Sequence, residues 1–218
     1  DIGPGLGPFI SADDVDGDGD LDLLAGERAT GNSFAWYENE NNGTSWSYHV
    51  IYDNLGDGYM IRVIDDLYGD GVPRAVAANH TNTESPEQAN PDLVDSQLVA
   101  FEIPGNPALQ WSSFDVLSEG IVPTPDLGLF PNDAPGVFDF GDADGDGDLD
   151  ILLAGDGAPT VYLLDQTAPG EFTTRILREF VVLTGGASMV DFNGDGAVEF
   201  VVTSFGADSV FVIERTTN

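Results

Sequence analysis

The chain has 218 residues, enough for a large all-β core, and carries 39 acidic against six basic residues, a formal net charge of -33. Such a surface repels nucleic acid and anionic membranes, and without a run of eighteen apolar residues no helix crosses a bilayer. With no cysteine there is neither a disulfide nor a thiol nucleophile, and the 41% hydrophobic content excludes a disordered acidic tail. All six cations are arginines. Asp outnumbers Glu by 28 to 11 and gathers in a few short clusters. Clustering favours bound cations, while the missing lysine fits a saline habitat.

The chain opens on Asp1, which reads as an internal or processed start, and residues 1–7 resemble the linker that leaves a finished strand. A short apolar segment at 8–10 precedes the acidic loop 14–22, a buried-strand run at 21–25, and alternating strands at 34–37 and 46–51. The order then repeats. A strand at 60–64 leads into loop 66–74, with strands at 75–78, 98–103 and 111–117. This second unit is lengthened by a polar insertion, 81–96, and by a Pro-rich connection, 118–134. Long loops on a rigid scaffold are where specificity usually resides. The third unit has a strand at 136–138, loop 142–150, and strands at 151–154, 161–164 and 172–177. The fourth has 187–190, loop 191–199, 200–202 and 210–213, and stops after its third strand.

The loop starts are 52, 76 and 49 residues apart. Each strand run is β-branched and aromatic, about five residues long, and bounded by Gly, Asn, Asp or Pro. Four strands per repeat predict an all-β fold of four-stranded antiparallel blades in a β-propeller, about four blades in this chain. The expected organisation is one propeller domain or fragment over 1–218, with repeats at about 8–57, 58–120, 134–180 and 185–218, the last incomplete. Beginning and ending in mid-blade, the chain is expected to be part of a larger ring.

The loops carry the chemistry. Calcium takes six to eight hard oxygens in flexible geometry. Carboxylates at positions 1, 3, 5 and 9, a carbonyl at 7 and a glycine at 6 supply them. In the first loop these are Asp14, Asp16, Asp18, Asp22 and the carbonyl of Asp20. In the third they are Asp142, Asp144, Asp146, Asp150 and the carbonyl of Asp148. In the fourth they are Asp191, Asn193, Asp195, Glu199 and the carbonyl of Ala197. Four carboxylates in nine residues repel one another strongly without a counterion. Calcium at ten times its Kd contributes about 1.4 kcal/mol per site, or about 4 kcal/mol for three. The loops are not EF-hands, because Ala25, Leu153 and Val202 stand where a bidentate Glu is required. In loop 66–74, Tyr68 and Arg74 replace the third and ninth carboxylates, so no calcium is expected there; the guanidinium is available to neutralise Asp66 and Asp70.

Residues 12–25, 141–154 and 190–199 resemble the FG-GAP/VCBS repeat family, whose calcium-loop repeats also build integrin α-subunit heads. The resemblance implies a bladed ring, often of seven blades, with calcium in the hairpin between a blade's first two strands. It also implies a secreted or surface-exposed protein: an adhesion module, a lectin, or part of a polysaccharide-processing enzyme.

The expectation is thus an extracellular, calcium-clamped, non-catalytic scaffold whose partners are a polysaccharide, a cell-surface protein, or further blades of the ring or of a neighbouring chain. The alternative is a carbohydrate-binding propeller, with Trp36, Tyr37, Trp46 or Trp111 stacking on sugars, although strand aromatics more often pack a core. No catalytic constellation is recognisable: there is no Gly-x-Ser-x-Gly elbow, and only two histidines. His49 is most simply structural; His80 is the better site candidate. Asn42 and Asn79 match the glycosylation acceptor pattern, both in predicted loops.

Overall fold

The computed structural model describes residues 6–27, 32–80, 97–118, 135–155, 159–180 and 184–214. The 81–96 insertion and nearly all of the 118–134 connection, both singled out above, lie outside them. Four antiparallel sheets account for the described residues, which contain no α-helix. The first sheet is β1 (Leu6–Asp13), β2 (Asp22–Glu27), β3 (Phe34–Asn39) and β4 (Trp46–Tyr52), paired in sequence order. The second is β5 (Asp57–Ile64), β6 (Arg74–His80), β7 (Leu98–Glu102) and β8 (Phe114–Val116). The third is β9 (Val137–Gly141), β10 (Asp150–Ala154), β11 (Thr160–Ala168) and β12 (Glu171–Glu179). The fourth has β13 (Thr184–Val190), β14 (Glu199–Ser204) and β15 (Ser209–Ile213), with a 3-10 turn at Phe205–Ala207. These are blade-like meanders.

The described chain gathers into two compact units, Asp1–Asp65 with Pro73–Val116, and Asp66–Val72 with Leu117–Asn218. In the first, alternate residues of the first two sheets interdigitate: Leu24, Phe34, Trp36 and Ile51 meet Ile61, Ala77, Val99 and Phe101. Burying one such side chain contributes about 1.5–3 kcal/mol. The backbones of β2 and β5 come so close that a Cβ on Gly26 would lie 2.5 Å from the Gly58 carbonyl carbon. Only glycine fits there. In the second unit, Leu152, Val161 and Leu163 of the third sheet pack on Met189, Phe200 and Val202 of the fourth.

The outer strand of the second sheet is shorter than its sequence suggests. Residues 111–117 read as a strand, yet only Phe114–Val116 pairs with β7. Trp111 is drawn inward instead. Its backbone N–H donates to the Ile51 carbonyl at 2.9 Å, and its indole, 1% exposed, donates to the Pro107 carbonyl at 2.9 Å. Burial of a large ring outweighs two more ladder bonds.

Candidate metal centre

Each acidic loop joins the first two strands of its sheet, and all four share one backbone design. Glycines at loop positions 4 and 6 have positive φ in every case: Gly17 and Gly19, Gly69 and Gly71, Gly145 and Gly147, Gly194 and Gly196. Those turns let the first-position carboxylate gather main-chain N–H groups. Asp14 accepts from Gly17 at 2.9 Å and Gly19 at 3.1 Å. Asp142 accepts from Gly145, Asp146 and Gly147 at 2.6, 3.1 and 3.1 Å. Asp191 does the same with Gly194, Asp195 and Gly196 at 2.7, 3.1 and 3.0 Å. The third- and fifth-position side chains accept from the N–H two residues on, as in Asp16 to Asp18 and Asp18 to Asp20.

The result is convergence. Asp14, Asp16 and Asp18 each present a carboxylate oxygen within 4.8 Å of the others, and Asp142, Asp144 and Asp146 do likewise. Asn193 keeps the third-position contact in the fourth loop, accepting from Asp195 N–H at 2.9 Å. Asp20 adds a telling atom: its Oδ1 is buried with no hydrogen-bond partner. Desolvation, then the charges of Asp18, Asp16 and Asp14, raise its pKa. A buried oxygen beside three carboxylates suits a hard divalent cation, so these residues fit calcium. In such a site the ion would supply charge neutralisation and cross-linking of the loop.

The ninth-position carboxylates lie at the loop exits, where the second strand of each sheet begins. Asp22 and Asp150 are each 1% exposed. Asp22 accepts from Val15 N–H at 3.0 Å and from Asn39 N–H at 2.8 Å. Asp150 accepts from Ala143 N–H and Gln166 N–H, both at 2.8 Å. Burial raises both pKa values, against the pull of those N–H donors. Glu199 accepts from Phe192 N–H at 2.7 Å and from the Asn193 side-chain amide at 2.9 Å. Each of these oxygens keeps a second lone pair. The expected carbonyl ligands of Asp148 and Ala197 follow the same turns, their N–H groups donating to Asp146 at 3.0 Å and Asp195 at 2.9 Å.

The loop from Asp66 has the same turn with different contents. Asp66 accepts from Gly71 N–H at 2.6 Å and Asp70 from Val72 N–H at 3.0 Å. At the third position, however, Tyr68 is buried, its ring 6.3 Å from that of Phe172 and so near Gly170 that a Cβ there would lie 3.3 Å from it. Leu67 is wholly buried, and its carbonyl accepts from Gln166 Nε2 at 2.9 Å. Arg74 is buried where β6 begins.

Trp36, Tyr37 and Trp111 are at most 1% exposed, so they pack the interior and offer no stacking face; Trp46 is half-buried. His49 stacks on Trp36 with ring centroids 4.7 Å apart and meets Glu38 at 2.7 Å. His80 closes β6, and its side chain lies outside the described residues. Asn42 occupies an exposed turn with φ 49. The loop expected around Asn79 is strand β6 instead. Asn79 is 1% exposed, its amide donating to the Leu55 carbonyl at 2.6 Å and accepting from Gln97 N–H. A folded chain does not offer it to a glycosylating enzyme.

Sequence reasoning missed Asn39 and Gln166. Asn39 Nδ2 donates to the Leu21 carbonyl at 3.2 Å, and its Oδ1 accepts from Gly43 N–H at 2.6 Å. Gln166 Nε2 donates to the Leu149 carbonyl at 3.1 Å, and its Oε1 accepts from Gly170 N–H at 3.0 Å. The available signal was an amide one residue past the partner of the ninth carboxylate in two repeats.

Residues 142–202, which span the third and fourth loops, match the family described as FG-GAP-like repeat. No curated protein matches. Among solved structures, a lectin of Agrocybe aegerita, described by its specific recognition of non-reducing terminal N-acetylglucosamine, is similar at 17% identity and a TM-score of 0.48. The match covers 92% of this chain and 50% of that one, so the chain spans about half the lectin's length.

Proposed function

We propose that this chain is a calcium-clamped β-propeller module that serves outside the cell as a non-catalytic binding scaffold. The observation that carries the reading is the convergence of Asp14, Asp16 and Asp18, and of Asp142, Asp144 and Asp146, on points within 4.8 Å, with the orphaned Asp20 oxygen beside the first. The matched FG-GAP-like repeat supports it. Calcium holds the first two strands of a blade together by closing the loop between them, in the first, third and fourth loops. Exposed sites of this kind fill where calcium is near millimolar, since extracellular modules bind with Kd of about 10⁻⁴–10⁻³ M. That motivates the extracellular assignment. The blade sheets are the rigid frame, and a polysaccharide or protein ligand would meet the loops they carry.

Thermal melting of metal-free protein with and without added calcium tests the clamp. Filling three sites at ten times Kd should raise the Tm by on the order of ten degrees. An unchanged Tm would defeat the reading. A glycan array run in calcium tests the ligand class, and silence across polysaccharides would leave a protein partner.

A further inference from the structure

We propose that Asn39 and Gln166 are positioning residues that hold the ninth-position carboxylates of the first and third loops ready for calcium, sorting the sites into two prearranged ones and a looser one in the fourth loop. The proposal rests on the calcium reading above and concerns how tightly each loop binds. In two separate sheets the same three-way tie recurs. The backbone N–H of the amide residue donates to the buried carboxylate, Asn39 to Asp22 and Gln166 to Asp150. Its side-chain N–H donates to the carbonyl just before that carboxylate, Leu21 or Leu149. Its side-chain oxygen accepts from the N–H of Gly43 or Gly170, four residues on in the turn to the next strand. One side chain therefore locks the loop exit, the third strand and the following turn together. The carboxylate rotamer is set before any ion arrives, which is what outer partners of metal ligands commonly do.

Among the described residues, the other two repeats show no such arrangement. In the second, the pairing of Arg74 with Glu102 puts Ile103 at the amide's place, so the ninth carboxylate and its holder are both replaced. In the fourth, the residue at the corresponding place in the sequence is Arg215, whose side chain has no acceptor oxygen. Glu199 is tied within its own loop instead, to Phe192 and Asn193, and the second-position Phe192 is 71% exposed where Val15 and Ala143 are buried. Its carboxylate has one more rotatable bond, and among the described residues no third-strand N–H is bonded to it.

Calorimetric titration of the metal-free full chain with calcium chloride tests this. The unaltered protein should show two tighter sites and one weaker. Asn39→Ala should weaken one tight site about tenfold and Gln166→Ala the other, while Asn39→Gln, which keeps the amide, should stay close to the unaltered affinity. Asn39→Leu keeps the branched shape and removes both side-chain bonds, so it replaces the alanine variant if that fails to fold. Unaltered affinities in the variants, even with a lower Tm, would assign these amides a merely structural role and overturn the proposal. Absence of calcium binding in the unaltered protein would overturn the calcium reading itself, a separate result.

Discussion

At the scale of single residues, the acidic loops set two opposite responses to pH. Asp13, Asp20, Asp22 and Asp150 all have pKa values raised above 3.8, each chiefly by desolvation. A carboxyl whose folded pKa exceeds its unfolded value binds its proton more tightly when folded. Its contribution is largest in acid and fades as pH rises through the folded value. Metal-free protein should therefore gain Tm as pH falls from neutral toward the unfolded carboxyl value of 3.8. With calcium bound the sign reverses, because the ion needs the ionised form and protons compete for it. Melting curves across that range, with and without calcium, check both directions; parallel trends would count against a metal at these carboxylates. The proposed ligands are legible in sequence because positions 1, 3 and 5 are brought together by a local turn. Asn39 and Gln166 were not legible, since they lie 17 and 16 residues beyond the carboxylates they hold and reach them only through strand pairing.

At the scale of elements, the four sheets are alike in topology and unlike in cover. Ile151 and Leu153 on one face of β10 and Leu152 on the other are all 0% exposed. In the fourth sheet the inner face is buried through Phe200 and Val202, while Val210 and Val212 on β15 are 65% and 46% exposed. Leu152→Ala should cost about 2–5 kcal/mol, and Val210→Ser should lie within about 0.5 kcal/mol of the unaltered protein. Urea melts read both, and a large loss from Val210→Ser would mean that this face is covered in solution. Strand alternation made the sheets predictable, because period-2 burial is written locally. It overcalled the strand at Trp111, where a contact with Ile51, sixty residues earlier, took the backbone N–H that a ladder would have used.

At the scale of the whole molecule, charge is the dominant quantity. A net charge of -33 on 218 residues opposes compactness at neutral pH, most strongly where the loops concentrate it. Molar sodium chloride shortens the screening length to about 3 Å. It should therefore raise the Tm of the metal-free chain clearly and that of the calcium-loaded chain much less. Equal gains in both would place the repulsion in the general surface rather than in the loops. The sequence by itself determined the four loops, their Gly-x-Gly turns, the strands and the convergence of Asp14, Asp16 and Asp18, because loops and turns follow from neighbours within about ten residues and strands from a locally written period of two. Only the tertiary structure decided that Trp36, Tyr37 and Trp111 are buried, that Asn79 is sealed in β6, that Tyr68 turns inward against Phe172, and that two distant amides hold Asp22 and Asp150. Each of those depends on which surfaces meet across strands and sheets, and a linear pattern specifies a side chain's face without specifying what covers it.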